Sequence, residues 1–171
     1  LAIEGLEKIA ERTSLDLDEI YERNINVAVT RINEDTVRTK ASLLDLNHNM
    51  RVDLIVRVKD REILEARCQM VKTPFKVCAA TGHRIKSLVG LKIERGIMSR
   101  MRPLLSGPSG CTHLNELATE AVRMSSNVIM GFATGDEIEW RERKISDDEF
   151  IDRAREFLKD SCLPFSAGLS E

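Results

Sequence analysis

A chain of 171 residues with a formal net charge of −2 is long enough for one domain and short for two, and its near-neutral balance excludes wholesale electrostatic binding of nucleic acid. With 42% hydrophobic and 32% charged residues it falls among globular chains rather than disordered ones, and no apolar run approaches the roughly 20 residues of a membrane helix. At this size folding buries about 70% of the surface an unfolded chain exposes, so a core needs no staples.

In chain order, the spacing of Ile3, Leu6, Ile9 and Ala10 predicts a helix over Ala2–Arg12, and Thr13 or Ser14 caps a short second one through Asp18 and Tyr21. The period then changes to two. Ile25, Val27 and Val29 alternate with polar neighbours, and Asn33-Glu34-Asp35 turns the chain into a second strand with Val37, Thr39, Ala41 and Leu43 on one face. Val52, Leu54, Val56 and Val58 mark a third strand. After the turn Lys59-Asp60-Arg61-Glu62, we expect Leu64, Ala66, Cys68 and Met70 to face inward on a fourth. Short turns between alternating runs favour an antiparallel meander of three or four strands, whose apolar side helices must cover.

Those helices follow. Thr73 as N-cap and Pro74 in the first turn open one that runs to about Val89 and stops at Gly90. Gly96 to Leu105 is short or kinked because of Pro103. After the loop Ser106-Gly107-Pro108-Ser109-Gly110, a long helix starts near Cys111, with Leu114, Leu117, Ala118, Ala121, Val122, Ser125, Val128 and Ile129 on its core face. Ser146 and Glu149 have the spacing of a capping box and open a last helix with Phe150, Ile151, Ala154, Phe157 and Leu158 inward; the tail from Cys162 is irregular. The expected class is therefore α+β, one domain over residues 1–171: helices at 1–23, an antiparallel sheet at 24–72 and a helical half at 73–171.

The four cysteines, Cys68, Cys78, Cys111 and Cys162, are widely spaced and include no CxxC pair. The opening segment is charged throughout and has no signal-peptide core, so we expect a cytoplasmic chain with free thiols. There is no Walker A or Rossmann glycine pattern, no HExxH and no GxSxG, which discounts nucleotide hydrolysis, zincin proteolysis and serine esterase chemistry.

Chemistry concentrates at four positions. His48 stands just before the third strand, in Asn47-His48-Asn49-Met50. Cys78 lies early in the first helix of the second half. Cys111 and His113 open the longest helix, in Gly110-Cys111-Thr112-His113-Leu114. Unpaired N–H groups and the positive dipole end at a helix N-terminus favour a thiolate, which can ligate zinc, iron or a cluster or attack an electrophile. Blander readings stand beside these: a turn residue for His48, core residues for Cys78 and Cys68, a solvated surface for His83. The basic stretch over residues 84–102 (Arg84, Lys86, Lys92, Arg95, Arg100, Arg102) reads as a solvated face, or as a patch for an acidic protein or phosphate-bearing ligand. Its lack of interleaved aromatics argues against single-stranded nucleic acid.

The segments HNMRVDLIVRV, EILEARC, PFKVC, SLVGLKIERG and GCTHLNEL together resemble the bacterial domain-of-unknown-function 2889 family over roughly residues 24–135. That resemblance carries no mechanism. The order of elements is also similar to the U-type (NifU-like) iron–sulfur cluster assembly scaffolds. By that likeness the ligand positions fall on His48, Cys78 and Cys111. This chain departs from the scaffold pattern, with His48 where the scaffold has cysteine and Thr112 between Cys111 and His113. A mixed Cys/His set suits zinc or iron. The expectation is a metal- or iron–sulfur-binding scaffold or accessory protein using His48, Cys78, Cys111 and His113. The alternatives are a cysteine-dependent enzyme or sulfur acceptor with Cys111 as nucleophile, and a non-catalytic subunit that binds another protein. Homo-oligomerisation stays open.

Overall fold

The alternation in the first half produces four antiparallel strands in the computed structural model, which describes residues 20–108, 110–160 and 165–166. The strands β1 (Arg23–Asn33), β2 (Thr36–Asp45), β3 (Asn49–Arg57) and β4 (Ile63–Lys72) form a meander in the order β1-β2-β3-β4. The Asn33 side chain closes the first turn by accepting from the Asp35 N–H and the Thr36 hydroxyl, both at 2.9 Å. Inward residues of β2 and β3, namely Val37, Ala41, Leu43, Met50, Val52, Leu54 and Val56, are buried as the period of two requires. On β4 the parity differs from expectation. Ile63, not Leu64, is fully buried, because the register shifts beside Ile55/Val56 and moves Leu64 off the core face.

The opposite face of the sheet carries Arg38, Lys40, Arg51, Asp53 and Arg67, with Arg38 and Asp53 paired across neighbouring strands. The core lies between the other face and the helices. The segment after β4 is a 3₁₀ helix over Lys76–Leu88. It starts later than expected, capped by Phe75, because the Thr73 hydroxyl donates to the Phe75 carbonyl instead of capping a helix. It ends at Leu88, with Val89 as its extended C-cap and Gly90 following at φ 85°. Ile85 and Leu88 are its buried residues.

Three α-helices expected from the pattern follow, and one that was not. Helix α1 (Ile97–Leu105) contains Pro103 and is short, as proline inside a helix requires. Helix α2 (Thr112–Thr134) buries Leu114, Leu117, Ala118, Ala121, Val122, Ser125 and Ile129 against the sheet. Each of the large aliphatic side chains contributes about 1.5–3 kcal/mol by leaving water. Helix α3 (Asp136–Arg141), absent from the sequence reading, starts at Gly135 in the left-handed region and is followed by α4 (Asp147–Leu158). The Ser146 hydroxyl accepts from the Glu149 N–H at 3.1 Å, the cap the sequence announced. Phe150 and Ala154 are half-buried, whereas Ile151 and Leu158 are exposed, contrary to the inward assignment: α4 rests on α3 and presents only a narrow stripe. The helix expected over Ala2–Arg12, most of the one after it, Cys162 and most of the tail lie outside the described residues, as does the Phe157 side chain.

Candidate functional site

One end of the sheet gathers charged and imidazole side chains beneath the start of α2. Asp45 continues the inward parity of Val37, Thr39, Ala41 and Leu43, which places a carboxylate where an apolar residue would otherwise sit. Arg23 faces it in register across β1 and β2, donates to its Oδ2 through Nε at 2.9 Å and keeps Nη2 in ion-pair contact with it at 2.8 Å, while Nη2 donates to the Tyr21 hydroxyl at 3.2 Å. The hairpin between β2 and β3 folds back on the same carboxylate. The Asn47 and His48 backbone N–H groups donate to Asp45 Oδ1 at 2.8 and 2.7 Å. The His48 ring lies 2.9 Å from Oδ1 through Nδ1 and is 6% exposed as a residue. A carboxylate only accepts, so the Nδ1 that faces it carries a proton, and in the neutral form of the ring the lone pair lies on Nε2.

Helix α2 closes the arrangement. Gly110 sits so close to the end of α1 that an added Cβ would lie 2.3 Å from the Leu105 carbonyl oxygen, and only glycine permits this approach. The Cys111 N–H donates to the same oxygen at 2.7 Å, fixing where α2 begins. Within its first turn and a half, His113 and Glu116, three residues apart, lie on one side of the helix. Glu116 accepts from Arg23 Nη1 at 3.1 Å, and the His113 ring rests on His48 with centroids 4.0 Å apart and a 45° tilt. Glu116, Arg23, Asp45, His48 and His113 thus form a continuous chain of contacts that joins β1, the β2–β3 hairpin and α2.

Its electrostatics are polarised. Burial alone would raise the Asp45 carboxyl. The backbone N–H of Asn47, the His48 ring, the Tyr21 hydroxyl and the His48 N–H outweigh that, holding it well below the usual carboxylate range. His113 is pushed below the ordinary imidazole value by burial first, then by the neighbouring His48 and Arg23. Around neutral pH, His113 is therefore a neutral imidazole with a lone pair available.

Of the residues singled out from the sequence, His48 and His113 are brought together. Cys111 is the N-cap residue of α2, half-buried, with no side-chain capping bond. Cys78 is half-buried in the 3₁₀ helix, and its backbone bonds are local: its N–H donates to Phe75 O, and its carbonyl accepts from the Thr81 hydroxyl. Cys68 packs against the core from β4. Burial, then the proximity of Cys111, pushes its thiol up to about 11. Among the described residues, no group of three or more His, Cys, Asp and Glu side chains is placed to hold one metal ion. Cys68, Cys78 and Cys111 are free thiols. Arg23, Asp45 and Glu116 went unnoticed in the sequence. Charged residues at the inward parity of two alternating strands were the available sign for the first two; nothing local marks Glu116.

The model of a family described as protein of unknown function (DUF2889) matches residues 24–126. The chain belongs to that family. The family region takes in all four strands, α1 and the first part of α2, and with them His48, Cys78, Cys111 and His113; Arg23 lies one residue before it. No curated protein and no solved structure matches the chain. The likeness in element order to the NifU-like scaffolds therefore gains no support, while the α+β arrangement of meander and helices stands. No helix among the described residues is long and apolar enough to cross a membrane.

Proposed function

We propose that this family member binds a transition-metal ion, zinc or iron, at the end of the sheet, with His48 and His113 as imidazole ligands. The observation that carries the reading is the 4.0 Å approach of the two rings, one oriented through Nδ1 by a buried carboxylate. A histidine whose Nδ1–H is held by a carboxylate presents Nε2 to an ion in a fixed direction, and such outer partners tune metal affinity 10–100-fold. The depressed basicity of His113 supports the same reading, since an imidazole must be neutral to ligate. Two protein imidazoles leave coordination positions for further donors. Cys111, two residues before His113, is the first candidate and Cys78 the second; thiolate with imidazole suits zinc or iron. An open site of this kind fits an accessory protein that takes up and passes on an ion. The exposed apolar side chains Leu46, Val71, Phe75 and Val77, close to the same hairpin in strand order, offer a surface for the protein that exchanges it. The free thiols fit a reducing, cytoplasmic location.

The test is metal content and affinity. Protein reconstituted without oxygen with zinc or iron(II) should retain about one ion, measured by elemental analysis, and His48→Ala together with His113→Ala should remove it. Retention of no metal by the parent, or equal retention by the double variant, rejects the reading. A second reading keeps the Asp45-held imidazole as a general base and uses Cys111 as a nucleophile. The orientation of His48 favours it as well, and fast alkylation of Cys111 that slows in His48→Ala would select it.

A further inference from the structure

A cavity of about 650 Å³, half open to solvent, lies between the β3–β4 turn, α1, α2 and α4. Its size lies within the range of small-molecule sites. The walls are largely apolar, with Met98 from α1, Val122 and Met130 from α2, and Phe150 and Ala154 from α4. Three guanidinium groups line it as well: Arg61 from the turn, Arg95 before α1 and Arg123 on α2. The two carboxylates in the lining are engaged elsewhere, Glu94 with Arg100 at 3.1 Å and Asp136 with Arg153 at 2.9 Å. Arg123 shares a contact with Glu120, whereas Arg61 and Arg95 have no carboxylate partner among the described residues. Positive charge therefore prevails around an apolar interior.

Arg61 adds an independent observation. Its φ is 59°, in the left-handed region where glycine or asparagine is the unstrained choice. The turn holds an arginine there, with its carbonyl accepting from the Ile93 N–H at 2.9 Å and its Nη1 at 3.8 Å from the Met130 sulfur. A strained backbone at a cavity wall, with the side chain extended across the cavity's apolar lining, is a common mark of a ligand-facing position.

We propose that this cavity binds an amphipathic organic anion, an apolar chain or ring carrying one carboxylate. The chain lies against Met98, Val122 and Phe150, and the carboxylate meets the guanidinium of Arg95 with Arg61 or Arg123. Guanidinium and carboxylate match in shape and charge, and the pairing strengthens beside apolar walls that hold water back. This site is separate from the histidine pair, and its test does not depend on metal.

Trp140 supplies the readout. It is the sole tryptophan, and its ring stacks on Phe150 at 4.9 Å. Dodecanoate below its micelle concentration should shift Trp140 emission saturably, and calorimetry should give one site per chain. Dodecyltrimethylammonium, of equal chain length and opposite charge, should give no saturable response. Arg95→Glu and Arg123→Glu, both at exposed positions, should each weaken binding at least tenfold. Arg61→Gly should weaken it without loss of folded structure, and Ala154→Phe should block it by filling the cavity. His48→Ala should bind dodecanoate like the parent. Equal binding of the cationic amphiphile, undiminished binding by the arginine variants and by Ala154→Phe, or a response only to anionic vesicles would each overturn the proposal.

Discussion

Replacing Asp45 tests the chain of contacts from Glu116 to His113 at its most connected point. Its carboxylate, with a side chain fully removed from solvent, accepts from Arg23 Nε, from the Asn47 and His48 N–H groups and from the His48 ring, with Arg23 Nη2 in ion-pair contact at 2.8 Å. Asp45→Asn keeps the shape and the oxygen facing the hairpin, but turns an amide N–H toward the guanidinium and removes the charge from every remaining bond. A hydrogen bond to a charged group is worth about 1.5–3 kcal/mol against about 0.5–1.5 for a neutral one, and losing one member of a buried pair costs about 3–5 kcal/mol. Because Arg23 is 28% exposed and regains some hydration, we expect a loss of about 3 kcal/mol for Asp45→Asn, and more for Asp45→Ala. Urea denaturation followed by circular dichroism at pH 7 measures it. The pH dependence supplies a second check. The folded carboxyl lies below its unfolded value near 4, so its contribution is fully present above about pH 4 and is lost as pH falls toward and through the folded value. The gap between parent and Asp45→Asn should narrow as pH falls below 4. A loss under 1 kcal/mol at pH 7, or a gap that widens below pH 4, would refute the account of Asp45 as the buried anchor of the hairpin.

Three further outcomes follow from local geometry. The Ser125 hydroxyl donates to the Ala121 carbonyl at 2.8 Å, so the Thr39 hydroxyl 2.6 Å away must be the donor between the two, both fully buried. Ser125→Ala should cost about 1–3 kcal/mol by stranding Thr39, and Thr39→Val added to it should restore part of that loss, as read by thermal unfolding. Gly110→Ala forces a Cβ onto the Leu105–Ser106 backbone; it should destabilise the fold by more than about 2 kcal/mol and lower metal retention by displacing the start of α2. Cys68, with a thiol near 11, is about one part in a thousand ionised at pH 8, so alkylation in the native state should leave it unlabelled long after urea-unfolded protein has reacted, as mass spectrometry of digests would show.

The sheet was legible because burial imposes a period of two on each strand, and Val37 to Leu43 and Val52 to Val56 carry it without interruption. Where the pairing slips, the pattern misleads: Leu64 looks inward by counting from Met70, but the register shift beside Val56 gives the core to Ile63. The start of the 3₁₀ helix was misplaced for a similar reason. Thr73-Pro74 has the composition of a helix start, yet the threonine hydroxyl found a carbonyl two residues on and the helix began at Lys76. At the site, individual residues were visible and their association was only half so. His48 and His113 are set apart by 65 positions, and their meeting depends on how α2 lies across β1 and β2. Asp45 and Arg23 were readable in principle, since each occupies an inward parity that an apolar residue would fill at no electrostatic cost.

Helix α2 relates the two proposed sites. His113 stands in its first turn, and Val122, Arg123 and Met130 line the cavity from its middle and later turns. At 1.5 Å per residue, His113 and Met130 are about 25 Å apart along the axis. Between them the inner face of the helix is locked by fully buried Leu117, Ala118 and Ala121 and by the bond between Ser125 and Thr39. A close-packed face of this kind has no second arrangement to adopt, and coupling between sites requires one. Metal affinity should therefore be the same, within twofold, with and without saturating dodecanoate. A tenfold change would mean that α2 moves as a unit across the sheet, against the packing described.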